Sequence, residues 1–114
     1  MSDFLEKRCE PCEAGVFPLS RDLFTPYLTQ IKDWNVRDDQ KLEREFIFKN
    51  FKKALFFVNE VGALAEKEGH HPDINLHEWN KVHLSLSTHA IHGLSLNDFI
   101  LAAKIDNIFA HKKE

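Results

Sequence analysis

Apolar side chains recur along this chain at two periods, and the switches between them mark out its elements. After Pro18-Leu19, Leu23, Phe24, Tyr27, Leu28 and Ile31 fall at helical spacing behind Ser20, a candidate N-cap. Pro26 interrupts this stretch. It restarts the helix at its first position behind Thr25, or it kinks a longer one. Trp34 to Arg37 and Leu42 to Phe48 carry β-formers on either side of the polar Asp38-Asp39-Gln40-Lys41, which predicts a hairpin. From Phe51 the helical period returns: Phe51, Ala54, Leu55, Val58, Val61, Gly62 and Ala65 take one side, and Lys52, Lys53, Asn59, Glu60 and Lys67 the other. Gly69 stands where a helix can leave through a left-handed residue, and Pro72 pushes His71 toward extended backbone, so this helix ends at a pair of histidines.

Beyond Pro72 the period drops to two. Asp73 to Trp79 alternates Ile74 and Leu76 with Asn75 and His77, and Val82 to Thr88 alternates Val82, Leu84 and Leu86 with His83, Ser85 and Ser87. These two strands predict a second hairpin turning near Trp79-Asn80. Ser95-Leu96-Asn97-Asp98 has the form of a capping box with Leu94 and Phe99 as its hydrophobic staple, opening a last helix that runs to about Ala110. The order α-β-β-α-β-β-α predicts an α+β fold: a two-layer sandwich of one four-stranded antiparallel sheet with three helices on one face. Leu96, Phe99, Ile100, Leu101, Ile105, Ile108 and Phe109 lie on several sides of the last helix, more than one sheet face covers, so self-association is expected through it.

At 114 residues the chain has room for one core, and residues 1–114 are taken as a single domain with a loop segment over 1–17. A net charge of −3 supplies no field for nucleic acid or anionic lipid, and no apolar run approaches the roughly 20 residues of a membrane helix. The charged start is unlike a signal peptide, and a cytoplasmic location is expected. Cys9 and Cys12 form a lone C-x-x-C among loop-forming residues, read as reduced thiols.

Histidine changes the picture. Of seven, His70, His71, His77, His83, His89 and His92 fall within 23 residues. His70 with His71 alone would suit the negative end of a helix, and His77 and His83 alternate with core positions on a polar sheet face. Glu66 lies four residues before His70, a spacing that brings carboxylate and imidazole to one helix face. His89 sits at the end of the strand that pairs with the segment after Pro72, which can return it to the His70-His71 corner. An imidazole has an unperturbed pKa of about 6.5, so such a group can supply an acid and a base together near neutrality. That suits a dehydration. Zinc is disfavoured, because H-E-x-x-H is absent and adjacent imidazoles rarely share one ion. Asp98 is explained by the capping box, Trp79 by packing over the sheet edge, and Glu66 equally as a solvated carboxylate or an orienting group.

The run Glu66-Lys67-Glu68-Gly69-His70-His71-Pro72, with Trp79 seven residues after the proline, His89 ten after the tryptophan and Asp98 nine further on, resembles the signature of the pterin-4a-carbinolamine dehydratases. Pro18-Leu19-Ser20, Asn80-Lys81-Val82, Ser87-Thr88-His89 and Asp98-Phe99 with Leu101-Ala102 extend the resemblance from about Cys9 to Ile105. It implies a hydro-lyase that dehydrates 4a-hydroxytetrahydrobiopterin to the quinonoid dihydropterin, recycling the pterin of aromatic amino-acid hydroxylases without metal or organic cofactor. It implies His70, His71 and His89 as catalytic residues and Gly69, Ser87, Thr88 and Ala90 as further pterin contacts, with Glu66, Trp79 and Asp98 in support. His70 and His89 would be the acid–base pair at the 4a-hydroxyl and the N5 proton, in either assignment, with His71 an orienting donor. Two positions depart from the family: His92 precedes Gly93 where Gly-Gly is frequent, and Trp79 stands where Tyr is frequent. The resemblance also implies a homodimer or homotetramer. Since animal members double as a dimerisation cofactor for a homeodomain transcription factor, it admits a protein-binding module as the alternative, with a hydroxylase or transcription factor as partner.

Overall fold

The computed structural model describes residues 3–7, 9 and 18–111. Helix α1 spans Arg21–Leu28, β1 Asn35–Arg37, β2 Lys41–Ile47, α2 Phe51–Glu68, β3 Asp73–His77, β4 Lys81–Leu86 and α3 Leu96–His111, with 3-10 turns at Asp3–Glu6 and His89–Ile91. The chain is an α+β fold in the expected order, its four strands lying β1-β2-β4-β3 with every neighbouring pair antiparallel. The second strand of each hairpin therefore lies in the middle of the sheet. Alternation fixes which face is covered: Leu42 and Phe46 of β2 and Val82, Leu84 and Leu86 of β4 are buried in the core, and Glu43, Glu45, His83 and Ser85 between them turn to the open face.

Helix α2 starts and stops on identifiable residues. Asn50 accepts the Lys53 N–H at 2.8 Å, and Gly69, at φ 70°, donates its own N–H to the Ala65 carbonyl at 2.8 Å. Pro26 neither restarts α1 nor divides a longer helix; it sits in the last turn of a single short one. The second hairpin turns earlier than expected, β3 ending at His77, because Glu78 and Trp79 take left-handed backbone with φ of 48° and 60°. Asp38 and Asp39 do the same in the first hairpin at 55° and 56°. Neither turn contains the glycine that usually marks such positions.

Helix α3 does not leave a surface for a second subunit in the way its composition suggested. Phe99, Ile100, Leu101, Ala102, Ala103 and Ile105 are all buried within the one chain. Phe24 of α1 stacks on Phe99, Tyr27 meets the same ring at a tilt, and Phe4 meets Tyr27 edge-on from the Asp3–Glu6 turn, so α3 is covered on the side away from the sheet as well. Exposed apolar side chains gather instead on α2, at Phe51, Leu55 and Phe56, with others scattered at Leu5, Leu23, Ile47, Ile74 and Trp79.

Part of the expected N-terminal loop is thus a structured turn. Beyond it, Cys9 is a free, half-buried thiol whose N–H donates to Glu68 Oε1 at 2.9 Å, while Glu68 Oε2 holds Lys104 Nζ at 2.6 Å. Burial, then the neighbouring Glu68 carboxylate, push the Cys9 thiol up to about 12. Cys12 and the residues expected to form loop around it lie outside the described residues. Among the described residues no helix is long and apolar enough to cross a membrane.

Candidate active site

Gly69 decides where the adjacent histidines go. Its left-handed backbone breaks the helical progression, so residue 70 no longer lies on the face that carries Glu66. The expected Glu66–His70 pair does not form. Glu66 Oε2 meets His71 Nε2 at 2.7 Å, with the two side chains 80% and 59% exposed. His70 turns inward, and its Nε2 lies 2.6 Å from Oδ1 of Asp98, which is fully buried.

Asp98 accordingly does more than close a capping box. Its Oδ2 accepts the Ser95 backbone N–H at 2.9 Å, the expected half of that motif, and also accepts the Thr88 hydroxyl at 2.8 Å. The Ser95 hydroxyl meets Thr88 Oγ1 at 2.8 Å. One carboxylate thereby ties together the end of α2, the segment leaving β4 and the start of α3. Carboxylates accept only, so His70 presents Nε2–H to Asp98 and keeps Nδ1 for another partner. Among the described residues no buried side-chain polar atom is left without a partner.

The loop from Thr88 to Gly93 carries His89. Thr88 N–H donates to the Gly93 carbonyl at 2.8 Å, and Leu19 N–H to the Leu94 carbonyl at 2.8 Å, holding the residues before α1 against the loop. That approach needs a glycine: a Cβ on Gly93 would lie 2.5 Å from the Pro18 Cβ. His89 itself is exposed, and its ring has no hydrogen-bond partner among the described residues.

Gly69, His70 and His71 border a cavity of about 380 Å³ whose opposite wall is Ser87, Thr88, His89 and Ala90. The structure so brings the three candidate histidines and the four further candidate contacts round one space. Pro72 and Asp73 also line it; sequence reasoning passed them over, although the pairing of Asp73 with Ser85 follows from the hairpin itself. Asp98 stands behind His70, and Glu66 reaches the site only through His71. Trp79 does neither thing expected of it. It lies 61% exposed in the turn at the opposite end of the β3–β4 hairpin, away from this cavity and not tucked over the sheet edge. A larger hollow of about 790 Å³ over the first half of α2 is bordered by Lys52, Lys53, Leu55, Phe56 and two asparagines, with His111 as its one titratable imidazole. The smaller cavity has the paired proton-transfer groups. Among the described residues, no three His, Cys, Asp or Glu side chains are placed to hold a metal ion together.

Two imidazoles on opposite walls of a small cavity, one backed by a buried carboxylate, have the chemistry to give and take protons on a small polar ligand. The family profile described as pterin 4 alpha carbinolamine dehydratase matches residues 17–108, and the chain belongs to that family. A relative from Alkaliphilus metalliredigens is 53% identical over 93% of this chain and 96% of its own. One from Rubrobacter xylanophilus is 44% identical over 95% of this chain and 100% of its own. Both carry the name "Putative pterin-4-alpha-carbinolamine dehydratase". Among solved structures, the transcriptional coactivator/pterin dehydratase of Brucella melitensis superposes with a TM-score of 0.74 at 29% identity, over 80% of this chain and 97% of that one. A pterin dehydratase-like protein described as a RuBisCO assembly factor in the alpha-carboxysome shares the fold, with a TM-score of 0.57 at 23% identity over 67% of this chain and 88% of that one.

Proposed function

We propose that this chain catalyses loss of water from a 4a-hydroxytetrahydropterin, giving the quinonoid dihydropterin, with His70, His71 and His89 as the residues that touch substrate. The observation that carries the reading is the Asp98 carboxylate, which binds both His70 and Thr88, the residue before His89. In the reaction the C4a–O bond breaks, the C4a–N5 bond becomes double, the N5 proton leaves to a base and the hydroxide departs as water with a proton from an acid. His70 suits the base. With Nε2–H held by Asp98, its Nδ1 is the free lone pair, and the carboxylate behind it stabilises the imidazolium as it forms. His89, without such a partner, then serves as the acid at the 4a-hydroxyl, and His71 with Glu66 orients the ring. Sequence reasoning left the two assignments equivalent; the Asp98 contact favours this one.

The same reading includes assembly of several copies through the exposed apolar face of α2 rather than through α3. The test is turnover by purified protein. The wild type should accelerate loss of 4a-hydroxytetrahydropterin, and His70→Ala and His89→Ala should each lose at least about a hundredfold in rate. Unchanged turnover in both variants would reject the assignment. Sedimentation at micromolar concentration should show a dimer or tetramer, and Phe56→Glu should shift it toward monomer.

A further inference from the structure

His89 is a wall between two spaces. On its far side from the first cavity lies a second hollow of about 220 Å³ that shares Ser87, Thr88 and His89 with the first and is otherwise bordered by Gln40, Lys41, His92 and Gly93. The sheet register accounts for the neighbours. Leu42 pairs with Leu86, so Lys41 continues the ladder beside Ser87, and the first hairpin turn hangs over the loop that carries His89. His92 is held by a left-handed backbone, φ 55° and ψ 43°, with its N–H donated to the His89 carbonyl at 3.3 Å.

The chemistry of this hollow differs from that of the first. Its lining offers an ammonium, two imidazoles, an amide and the Ser87 hydroxyl, the Thr88 hydroxyl being given to Asp98, and no carboxylate. Asp38 and Asp39, next in the same turn, stay outside the lining, and Asp39 is engaged by Arg21. Lys41 makes no ion pair among the described residues. A cationic hollow with unspent donors is suited to an anion.

We propose that this second hollow is a side-chain subsite, in which Lys41 and His92 select substrates whose pterin ring carries an anionic substituent at C6, such as a phosphate ester. This rests on the dehydratase reading above. In the pterin ring C6 is the atom next to N5, and N5 the atom next to C4a. A ligand that places its 4a-hydroxyl at His89 and its N5 toward His70, as proposed above, has C6 only two bonds from C4a, so a substituent on C6 starts close enough to His89 to extend past it. The second hollow begins there. Substrates with a short uncharged group at C6 would fill the first cavity alone and leave the ammonium and the His92 ring unused.

The experiment compares two carbinolamines, one bearing a methyl group at C6 and one bearing a side chain that ends in phosphate. The wild type should prefer the phosphorylated compound by about tenfold in kcat/KM, mainly through KM. In Lys41→Gln and in His92→Gly that preference should fall to about twofold or less. Both variants should fold: residue 41 is exposed at the edge of a turn, and glycine suits the left-handed backbone at residue 92. A wild type that turns over both compounds without preference, or variants that keep the preference, would overturn the subsite and leave the dehydratase reading standing. Turnover of neither compound by the wild type would overturn the dehydratase reading itself, and the subsite with it.

Discussion

His70 and His71 are neighbours in sequence, each within 2.7 Å of a carboxylate, and their surroundings are opposite. The His70–Asp98 pair is 13% and 0% exposed, the His71–Glu66 pair 59% and 80%. Distance alone would call them equivalent. In the first pair the carboxylate is buried, it accepts from two further donors, and neither partner can be removed without leaving a buried group unmatched. In the second pair both groups are solvated, the attraction is screened, and each side chain gives up rotamer freedom to meet the other. The same division recurs one turn of chain earlier: Glu66 faces solvent, and Glu68, two residues on, is buried with Lys104 and the Cys9 N–H.

The sharpest way to break the comparison is at Asp98. Replacement by Ala should destabilise the fold by about 3 kcal/mol, since the Thr88 hydroxyl, the Ser95 N–H and His70 all lose their acceptor. Thermal melting reads this directly. Asp98→Asn keeps the shape and one acceptor oxygen but cannot stabilise an imidazolium, so it should remain folded while kcat falls about a hundredfold. Full turnover in a folded Asn variant would mean that the buried pair is no more functional than the exposed one.

The buried side of the Glu66 and Glu68 contrast can be tested through pH. The Cys9 thiol is raised from 9.0 to about 12 in the fold, so between those values the unfolded chain ionises and the folded chain does not. Stability must then fall as pH rises above 9, by roughly 1 kcal/mol at pH 10. Urea unfolding at pH 8 and pH 10 should show this loss in the wild type and less of it in Cys9→Ser. An equal loss in both would remove the thiol from the account. In a Cys12→Ser background, alkylation of Cys9 near pH 8 should also be slow in the native protein and fast after unfolding.

The smallest effect belongs to Glu66→Ala. Stability should change by less than about 0.5 kcal/mol, and turnover by no more than about threefold. Raising the salt concentration should abolish even that difference while leaving the Asp98 variants distinct from wild type. A hundredfold loss in Glu66→Ala would place the exposed pair at the centre of the chemistry instead.

What could be seen in the sequence was whatever depends on local period and local backbone. The two hairpins, the end of α2 at Gly69 and the gathering of Gly69, His70, His71 and Ser87 to Ala90 round one space all follow from alternation, one left-handed glycine and strand pairing. The pairing of imidazole with carboxylate did not follow. It depends on how far residue 69 rotates the chain and on where α3 arrives, and neither leaves a trace in spacing. Asp98 satisfied a local rule so completely that its long-range partner went unnoticed. The surplus of apolar residues on α3 points by itself to a second subunit, and no periodicity in positions 1–17 signals that Phe4 reaches Tyr27 over that helix. The spacing of Trp79 suits packing over the sheet edge and the family resemblance gives it a supporting role, whereas the turn of the β3–β4 hairpin leaves it exposed at the end away from the cavity.

Because one oxygen of Asp98 holds both the first turn of α3 and the threonine beside His89, fraying of that helix start and loosening of the His89 wall of the cavity are one event. The amide of Ser95 therefore reports on both. Its hydrogen-exchange protection should rise when a pterin occupies the cavity and vanish when the carboxylate is cut away, a backbone readout of catalytic readiness that needs no substrate turnover.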